Sequence, residues 1–296
     1  MVVGDGDDLL TLTAGPLSLV LCPKIGGSIA RFDHVEDGNR FAILRPTAGS
    51  PPDVLGAASF PLVPYVNRIR SGEFHFRGQI VRIAPNMPGD PSPLHGQGWL
   101  AAWEVLEAGE SDARLRFEHR AGEWPWQYAA EQQFRLSEDG LELTLSCTNH
   151  SATPMPCGLG QHPYFQCGPN TRIATEVEHV WLIDEHVLPT EKAKAEGRFD
   201  LADRPVCGLG LDHGFDGWGG RTTLSDPAWP KRVTMSSPDA HFFQLYSPPE
   251  GQIFVAEPVT HANAALNAPE SEWGDLGMKV LGPGESMAMT MGLNLS

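Results

Sequence analysis

Apolar residues at every second position recur along this chain, and this alternation constrains the fold more than any other feature. Over Leu141–Cys147, leucine and cysteine alternate with polar residues, which is the pattern of a β-strand with one buried face. The dipeptide Asp139-Gly140 just before it favours a tight hairpin, with Gln133–Leu136 as the partner strand. Further strands are predicted over 17–22, 74–77, 80–83, 114–118, 241–246, 252–257 and 286–295.

Segments that favour a helix are nearly absent. Glycine and proline account for 32 and 26 of the 296 residues, and both disfavour helix interiors. The one candidate helix is short, Thr190–Glu196. Many short strands between turn signals predict an all-β fold, either a sandwich or a barrel, and such folds often exceed about 200 residues in one unit. Since we find no repeat or linker, we expect a single domain over residues 1–296.

The charge balance argues against whole classes of partner. Lys and Arg total 21 against 37 Asp and Glu, a net charge of −16 at pH 7, which opposes binding to nucleic acid and to anionic membranes. No apolar run of about 18 residues could span a bilayer, and the N-terminus lacks the pattern of a signal peptide. The five cysteines show no CxxC spacing. We therefore expect a cytoplasmic protein with reduced thiols.

Polar residues that could carry chemistry concentrate at the ends of predicted strands, in segments 60–76, 93–99, 158–165 and 255–267, with a weaker fifth at 210–218. A metal site is disfavoured, because no HxH, HExxH or CxxC occurs and the neighbours Asp212 and His213 would point to opposite faces of a strand. Acid/base chemistry needs a proton donor and an acceptor that face each other across a pocket. His162 and Glu257 are the candidate pair, although each taken alone would also suit a structural role.

Four of these motifs occur together in a known family. NRIRSGEFHFRGQ, LHGQGW, GQHPYF and AEPVTHANAALN, in this order and spacing, resemble those of the aldose 1-epimerase (galactose mutarotase) family. The resemblance runs from KIGGSIARF near the N-terminus to the last predicted strand, and so covers nearly the whole chain. It implies a large antiparallel β-sandwich of the galactose mutarotase type, with an open cleft for a free monosaccharide. It also implies an isomerase that uses no metal and no cofactor.

The resemblance assigns roles to individual residues. His162, in the HPYF-like motif, corresponds to the general acid, and Glu257, in the EP motif, to the general base. The NR pair corresponds to Asn67 and Arg68, and the LHG histidine to His95, all of which would bind the sugar. A carboxylate is ionised at pH 7, and a histidine holds and releases a proton near neutrality. We expect the nearby carboxylate to favour the protonated form of His162.

Other positions correspond to the family less closely. A sugar-binding aspartate matches Asp212 best, with Asp216 as its rival, and His213 is a further candidate for the cleft. Gln97 and Gln161 depart from the residues common in the family, which affects the expected substrate rather than the reacting groups. Aromatic rings can stack on the apolar face of a sugar, and the tryptophans in or near these loops are Trp99, Trp124, Trp126 and Trp218.

Several functions remain open beside that of a mutarotase for galactose, glucose or another neutral aldose. A carbohydrate-binding protein of the same fold would not need an opposed acid and base. A glycoside hydrolase needs two carboxylates at a fixed separation, whereas Glu257 is the one strong candidate here. A hexose-6-phosphate mutarotase would need a basic cluster, for which Arg70, Arg77 and Arg82 are available. The net charge favours an unphosphorylated sugar.

Overall fold

The structure is a computed structural model that describes residues 9–296. Its first twelve strands are β1 (Leu10–Ala14), β2 (Leu17–Cys22), β3 (Ser28–Glu36), β4 (Asn39–Ala42), β5 (Pro61–Leu62), β6 (Glu73–Phe76), β7 (Gln79–Arg82), β8 (Glu104–Ala108), β9 (Asp112–His119), β10 (Tyr128–Leu136), β11 (Gly140–Asn149) and β12 (Met155–Cys157). The others are β13 (Gly160–Gln161), β14 (Tyr164–Gln166), β15 (Arg172–Thr175), β16 (His179–Ile183), β17 (Pro189–Lys194), β18 (Arg204–Pro205), β19 (Leu211–Asp216), β20 (Arg221–Ser225), β21 (Val233–Ser236), β22 (Phe242–Ser247), β23 (Ile253–Val259), β24 (Lys279–Leu281) and β25 (Ser286–Leu295).

Two large antiparallel sheets dominate the architecture, and the predicted all-β fold is confirmed. The nine-stranded sheet has the order β18-β15-β20-β21-β25-β11-β10-β9-β8, and the eight-stranded sheet has the order β17-β16-β19-β22-β23-β13-β5, with β14 paired to β23. Strands β1 to β4 form a smaller sheet, and β6-β7 and β12-β24 form pairs. Helical structure among the described residues is limited to 3₁₀ turns at Val54–Gly56, Arg70–Gly72, Gly98–Leu100, Gly197–Phe199, Ala265–Asn267 and Glu270–Glu272. No helix in this part of the chain is long and apolar enough to cross a membrane.

The alternating sequence of β11 shows why the large sheets pack face to face. Its Leu141, Leu143 and Leu145 are at most 2% exposed, while the residues between them face away from the core. Strand β25 pairs with β11 so that Leu293, Met291 and Met289 lie opposite these leucines and are equally buried. Burying each such side chain contributes up to about 1.5–3 kcal/mol. Each predicted strand overlaps a strand of the structure, although the end residues Arg77, Ile83, His241 and Gln252 lie outside. The hairpin that turns at Asp139-Gly140 is confirmed.

The predicted helix Thr190–Glu196 is wrong, because most of this segment is part of strand β17. It pairs antiparallel with β16, with Lys192 opposite Trp181, and Lys192 places its ammonium 5.6 Å from the centre of the Trp181 ring. Alanine, lysine and glutamate favour helices by only a few tenths of a kcal/mol each. Pairing at the edge of a preformed sheet therefore overrides that local preference.

The expectation that all thiols are reduced is also wrong. Cys167 and Cys207 form a disulfide that links positions 40 residues apart, one just after β14 and the other in the loop after β18. Cys22, Cys147 and Cys157 are buried and form no disulfide. The sequence contained no usable signal for this pair, because two cysteines at a long separation are brought together only by the course of the chain.

The eight-stranded sheet sets the spacing of the candidate functional residues. Gln244 on β22 lies directly opposite Glu257 on β23, and Tyr246 lies opposite Asp212 on β19. Side chains alternate between the two faces of a strand, and residues directly opposite each other share a face. Three neighbouring strands therefore present Asp212, Gln244, Tyr246 and Glu257 on one side of the sheet.

Candidate active site

A cleft of about 400 Å³ opens on this side of the eight-stranded sheet, a volume suited to a small molecule. The structure brings together in it all six residues that the sequence singled out: Asn67, Arg68, His95, His162, Asp212 and Glu257. They come from three strands or strand ends and from the loops around 67 and 95. The remaining lining residues are Arg45, Leu55, Phe60, Met87, Leu94, Trp99, Tyr164, Gln244, Tyr246 and Ile253.

His162 and Glu257 face each other at the bottom of the cleft. The distance from His162 Nε2 to Glu257 Oε1 is 3.5 Å, and the two side chains are 12% and 4% exposed. The His162 ring stacks on Phe60, with ring centres 4.4 Å apart, and lies 4.7 Å from the ring of Tyr164. These aromatic contacts hold the plane of the imidazole. Its Nε2 therefore stays directed toward the carboxylate.

Burial opposes the charged form of both groups. It lowers the pKa of His162 to about 3, and the positive charge of Arg45 adds to this shift. Burial also raises the pKa of Glu257 well above its usual value; Asp212 adds to that shift and Arg68 opposes it. The expectation that His162 is protonated beside the carboxylate is thus wrong, because loss of hydration dominates its pKa. Both shifts therefore favour the uncharged forms, the protonated carboxyl of Glu257 and the neutral imidazole of His162.

His95 is held as a neutral hydrogen-bond donor. Its Nδ1 accepts a hydrogen bond from the backbone N–H of Asn67, at 3.1 Å, so the ring hydrogen is on Nε2. The backbone N–H of His95 donates in turn to the Asn67 carbonyl at 3.0 Å. Both residues have positive φ angles, 58° and 57°, a conformation that is uncommon for residues other than glycine. The two loops therefore lock each other, and burial lowers the pKa of His95 well below 6.5.

Arg68 is fixed by its neighbours on the same side of the cleft. Its Nε donates to Asp90 at 2.8 Å and its Nη1 to the side-chain oxygen of Asn67 at 3.1 Å. Its backbone N–H donates to the side chain of Asn263. Because Nη2 is engaged by neither partner, it is the donor left for a ligand. Asn67 thus acts through Arg68 and His95 as well as lining the cleft itself.

The structure separates the two candidate aspartates. Asp212 lines the cleft and accepts a hydrogen bond from Gln244 Nε2 at 2.7 Å, while burial raises its pKa. Asp216 lies four residues further along β19, about 13 Å away at ~3.3 Å per residue. It is paired instead with His179 at 2.8 Å and with Lys192 at 2.6 Å. Asp212 is therefore the aspartate that a ligand in the cleft can reach.

Several other candidates lie away from the cleft. His213 is on the opposite face of β19 from Asp212, and its ring packs against Phe199. The side chain of Gln97 accepts a hydrogen bond from the Tyr128 hydroxyl. The side chain of Gln161 donates a hydrogen bond to Gln132. Of the four tryptophans considered, Trp99 lines the cleft, and the other three are core residues, namely Trp124, Trp126 and Trp218. Within residues 9–296 no group of three or more His, Cys, Asp or Glu is arranged to hold a metal ion.

Sequence patterns missed part of the cleft wall. Gln244 and Tyr246 lie in a strand that shows only ordinary alternation, and Arg45 lies in a loop of no recognisable motif. Tyr164 is part of the motif that contains His162, yet no role was predicted for it. The register of β22 against β23 is the signal that would have selected Gln244, because it lies directly opposite Glu257. That register is set by the pairing of the two strands in the folded protein, so the sequence pattern did not show it.

The buried histidines predict how stability depends on pH. Besides His95 and His162, burial lowers the pKa of His213 and of His261 to about 4 each. The unfolded chain binds protons at these sites below about pH 6.5, whereas the folded protein does not. Their contribution to stability is thus present above pH 6.5 and is lost as the pH falls toward 4. We expect the melting temperature to fall steeply between pH 6.5 and 4.5 in calorimetry.

A control variant makes this expectation specific. His75 is exposed at the surface, so His75→Gln should melt with the same pH dependence as the wild type. His213→Asn removes one of the buried titrating groups, so it should take up about one proton fewer per molecule on unfolding. Its melting temperature should therefore depend less steeply on pH. A melting temperature that stays constant from pH 6.5 to 4.5 in the wild type would contradict the assignment.

Comparison with known proteins identifies the family of this chain. The family model described as Aldose 1-epimerase matches residues 8–294. This chain belongs to the aldose 1-epimerase family, so the resemblance found in the motifs is confirmed.

Individual relatives extend over nearly the whole chain. The chain is 33% identical to YphB of Escherichia coli K12, an uncharacterized protein, over 97% of this chain and 98% of YphB. It is similar to the crystal structure of an Escherichia coli K12 protein assigned provisionally as an aldose 1-epimerase, with a TM-score of 0.88, 31% identity and coverage of 97% and 98%. A galactose mutarotase-like protein from Clostridium acetobutylicum has a TM-score of 0.84 at 19% identity, covering 98% and 99%. This last similarity shows the galactose mutarotase-like fold alone.

Proposed function

We propose that this protein is an aldose 1-epimerase that interconverts the α and β anomers of a free monosaccharide. The observation that carries the proposal is the opposed pair His162 and Glu257, 3.5 Å apart at the bottom of the cleft. A sugar ring inserted over this pair would have one group beside the anomeric hydroxyl and the other beside the ring oxygen. Arg68, His95, Asp212 and Asn67 would hold the remaining oxygens.

Ring opening requires two proton movements. The anomeric hydroxyl loses its proton as C1 becomes an aldehyde carbonyl, and the ring oxygen gains a proton as its bond to C1 breaks. Glu257 as a carboxylate accepts the first proton and His162 as an imidazolium donates the second, so neither charged sugar intermediate forms. After rotation about C1–C2 the two groups exchange tasks, and the ring closes with the opposite configuration at C1. Each positioned proton transfer accelerates the reaction by roughly 10²–10⁴-fold.

The pKa shifts of the pair favour this chemistry once a sugar is bound. A carboxylate whose pKa is raised is a stronger base, and an imidazolium whose pKa is lowered is a stronger acid. Burial by itself favours the uncharged forms of both groups. The anomeric hydroxyl can donate to the carboxylate, and the ring oxygen can accept from the imidazolium. Binding of a cyclic sugar therefore stabilises the ionic form that opens the ring.

Two of the alternatives are less well supported by the geometry. A sugar-binding protein would gain nothing from burying an acid opposite a base at this cost in hydration. The arginines considered for a phosphate are engaged elsewhere: Arg70 with Asp184, Arg82 with Glu73, and Arg77 against the Phe76 ring. None of the three lines the cleft.

The direct test is the rate at which anomers equilibrate. Fresh α-D-glucose and α-D-galactose, followed by polarimetry or proton NMR, should approach equilibrium with a rate constant that rises linearly with protein concentration. Buffer with an equal mass of serum albumin is the control for nonspecific catalysis. Failure to accelerate any sugar in a panel of hexoses, pentoses, deoxy sugars, uronates and 6-phosphates, with sugar binding still measurable, would contradict the enzyme and favour the binding protein.

A further inference from the structure

Arg45 is a cation on the cleft wall that makes no ion pair with a carboxylate in the part of the chain that the structure describes. Its guanidinium lies 3.7 Å from the centre of the Tyr164 ring, and its Nη2 donates to the carbonyls of Leu55 and Ala57. Among the described residues 9–296, no Asp or Glu pairs with it within 4.0 Å. Arg68, the other arginine of the cleft, is by contrast paired with Asp90 at 2.8 Å. The charge of Asp53 acts on Arg45 without forming an ion pair, so Arg45 presents an unpaired guanidinium to the cleft in a chain whose net charge is −16.

The position of Arg45 relative to the reacting pair is defined by contacts. Along the cleft wall the order of residues is Glu257, His162, Tyr164 and Arg45. The ring centres of His162 and Tyr164 are 4.7 Å apart. The charge of Arg45 acts on His162, whereas the charges that act on Glu257 are those of Asp212 and Arg68. Arg45 therefore lies on the His162 side of the cleft. Asp212, which is hydrogen-bonded to the Gln244 opposite Glu257, lies on the Glu257 side.

Under the proposed function, this order of residues along the wall identifies the substituent of a pyranose ring that lies beside Arg45. Glu257 faces the anomeric hydroxyl on C1, and His162 faces the ring oxygen. The ring atom bonded to the other side of that oxygen is C5, which carries C6. A group on C6 therefore extends past His162 toward Tyr164 and Arg45.

We propose that the substrate is a pyranose with an anionic group on C6, namely a hexuronate, and that Arg45 binds its carboxylate. The backbone N–H of Arg45 donates to the Tyr164 carbonyl at 2.8 Å, so the residue is anchored at both ends. Because Nη2 is occupied by the two carbonyls, Nη1 and Nε remain as donors, which suits a carboxylate. A dianionic phosphate would find no second unpaired cation among the residues that line the cleft.

The test compares each uronate with its parent hexose. Anomeric exchange measured by NMR gives kcat/KM for D-glucuronate and D-galacturonate, and for D-glucose and D-galactose. For the wild type we expect at least one uronate to exceed its parent by about 10-fold or more. In Arg45→Gln this ratio should fall by about 10–100-fold, as expected for loss of a charge-assisted hydrogen bond. Arg45→Lys, which keeps the charge but not the planar fork, should fall between the two.

Controls separate this inference from the proposed function. Arg82→Gln removes the same charge outside the cleft and should leave the wild-type ratio unchanged. If neutral hexoses are accelerated but uronates are not preferred, or if Arg45→Gln leaves the ratio unchanged, the function stands and this inference is overturned. A preference for glucose 6-phosphate over glucuronate would also overturn it. If no sugar is accelerated at all, the proposed function itself fails.

Discussion

Glu257→Gln is expected to reduce the catalysed rate of anomer interconversion by about 10²–10⁴-fold. Glutamine has the same shape as glutamic acid and keeps a hydrogen-bonding side chain between Gln244 and His162. It cannot accept the proton of the anomeric hydroxyl. Sugar binding should therefore persist while kcat falls. Glu104→Gln, which makes the same change at an exposed position on β8, is the matched control and should retain the wild-type rate.

The same substitution should stabilise the protein at neutral and alkaline pH. Burial raises the pKa of Glu257, so the stability contributed by its protonated form is fully present below about pH 4.5 and is lost as the pH rises. Glutamine does not ionise, so the variant loses no stability from this side chain as the pH rises. Glu257→Gln should accordingly melt above the wild type at pH 8 and close to it at pH 4.5. A variant that is inactive and also less stable at pH 8 would indicate a structural role instead.

His162→Gln is expected to lower the rate by a similar factor, about 10²–10⁴-fold. Glutamine can place an amide near the position of Nε2, yet it cannot deliver a proton to the ring oxygen. His95→Gln provides the informative comparison, because His95 is fixed as a neutral donor and an amide can partly replace it. We expect His95→Gln to lose less than His162→Gln, in kcat/KM measured on the same sugar.

A double variant tests whether the two residues act as one unit. If the acid and the base work in a single concerted step, His162→Gln combined with Glu257→Gln should be no slower than the slower single variant. Strictly multiplied losses would mean that the two groups act in separate steps. A His162→Gln variant with a near wild-type rate would remove His162 from the proposed mechanism.

Much of the site was predictable because catalytic motifs are local in sequence. His162, Glu257, Arg68 and His95 each lie in a short segment with an unusual order of polar and glycine residues. The structure brings all four to one cleft. Arg45 and Gln244 were not predictable in this way, because neither lies in such a segment. Their place in the cleft depends on the loop beside Tyr164 and on the register of β22 against β23.

The protonation of the reacting pair was also beyond sequence analysis. A carboxylate near a histidine favours the imidazolium in water, and that was the expectation. The opposite direction of both shifts arises because Glu257 and His162 are buried, and the loss of hydration outweighs their mutual attraction at 3.5 Å.

The amino-acid sequence alone determined the all-β class, most strand positions and the family, because side-chain alternation and short motifs are patterns of residues that are close in sequence. Tertiary structure decided what depends on distant residues. It made a strand of most of Thr190–Glu196, joined Cys167 to Cys207, and chose Asp212 over Asp216 for the cleft. It also left Arg45 without an ion pair among residues 9–296 and placed its guanidinium on the ring of Tyr164. Each of these outcomes depends on pairing and burial across the sheet, which local sequence does not encode.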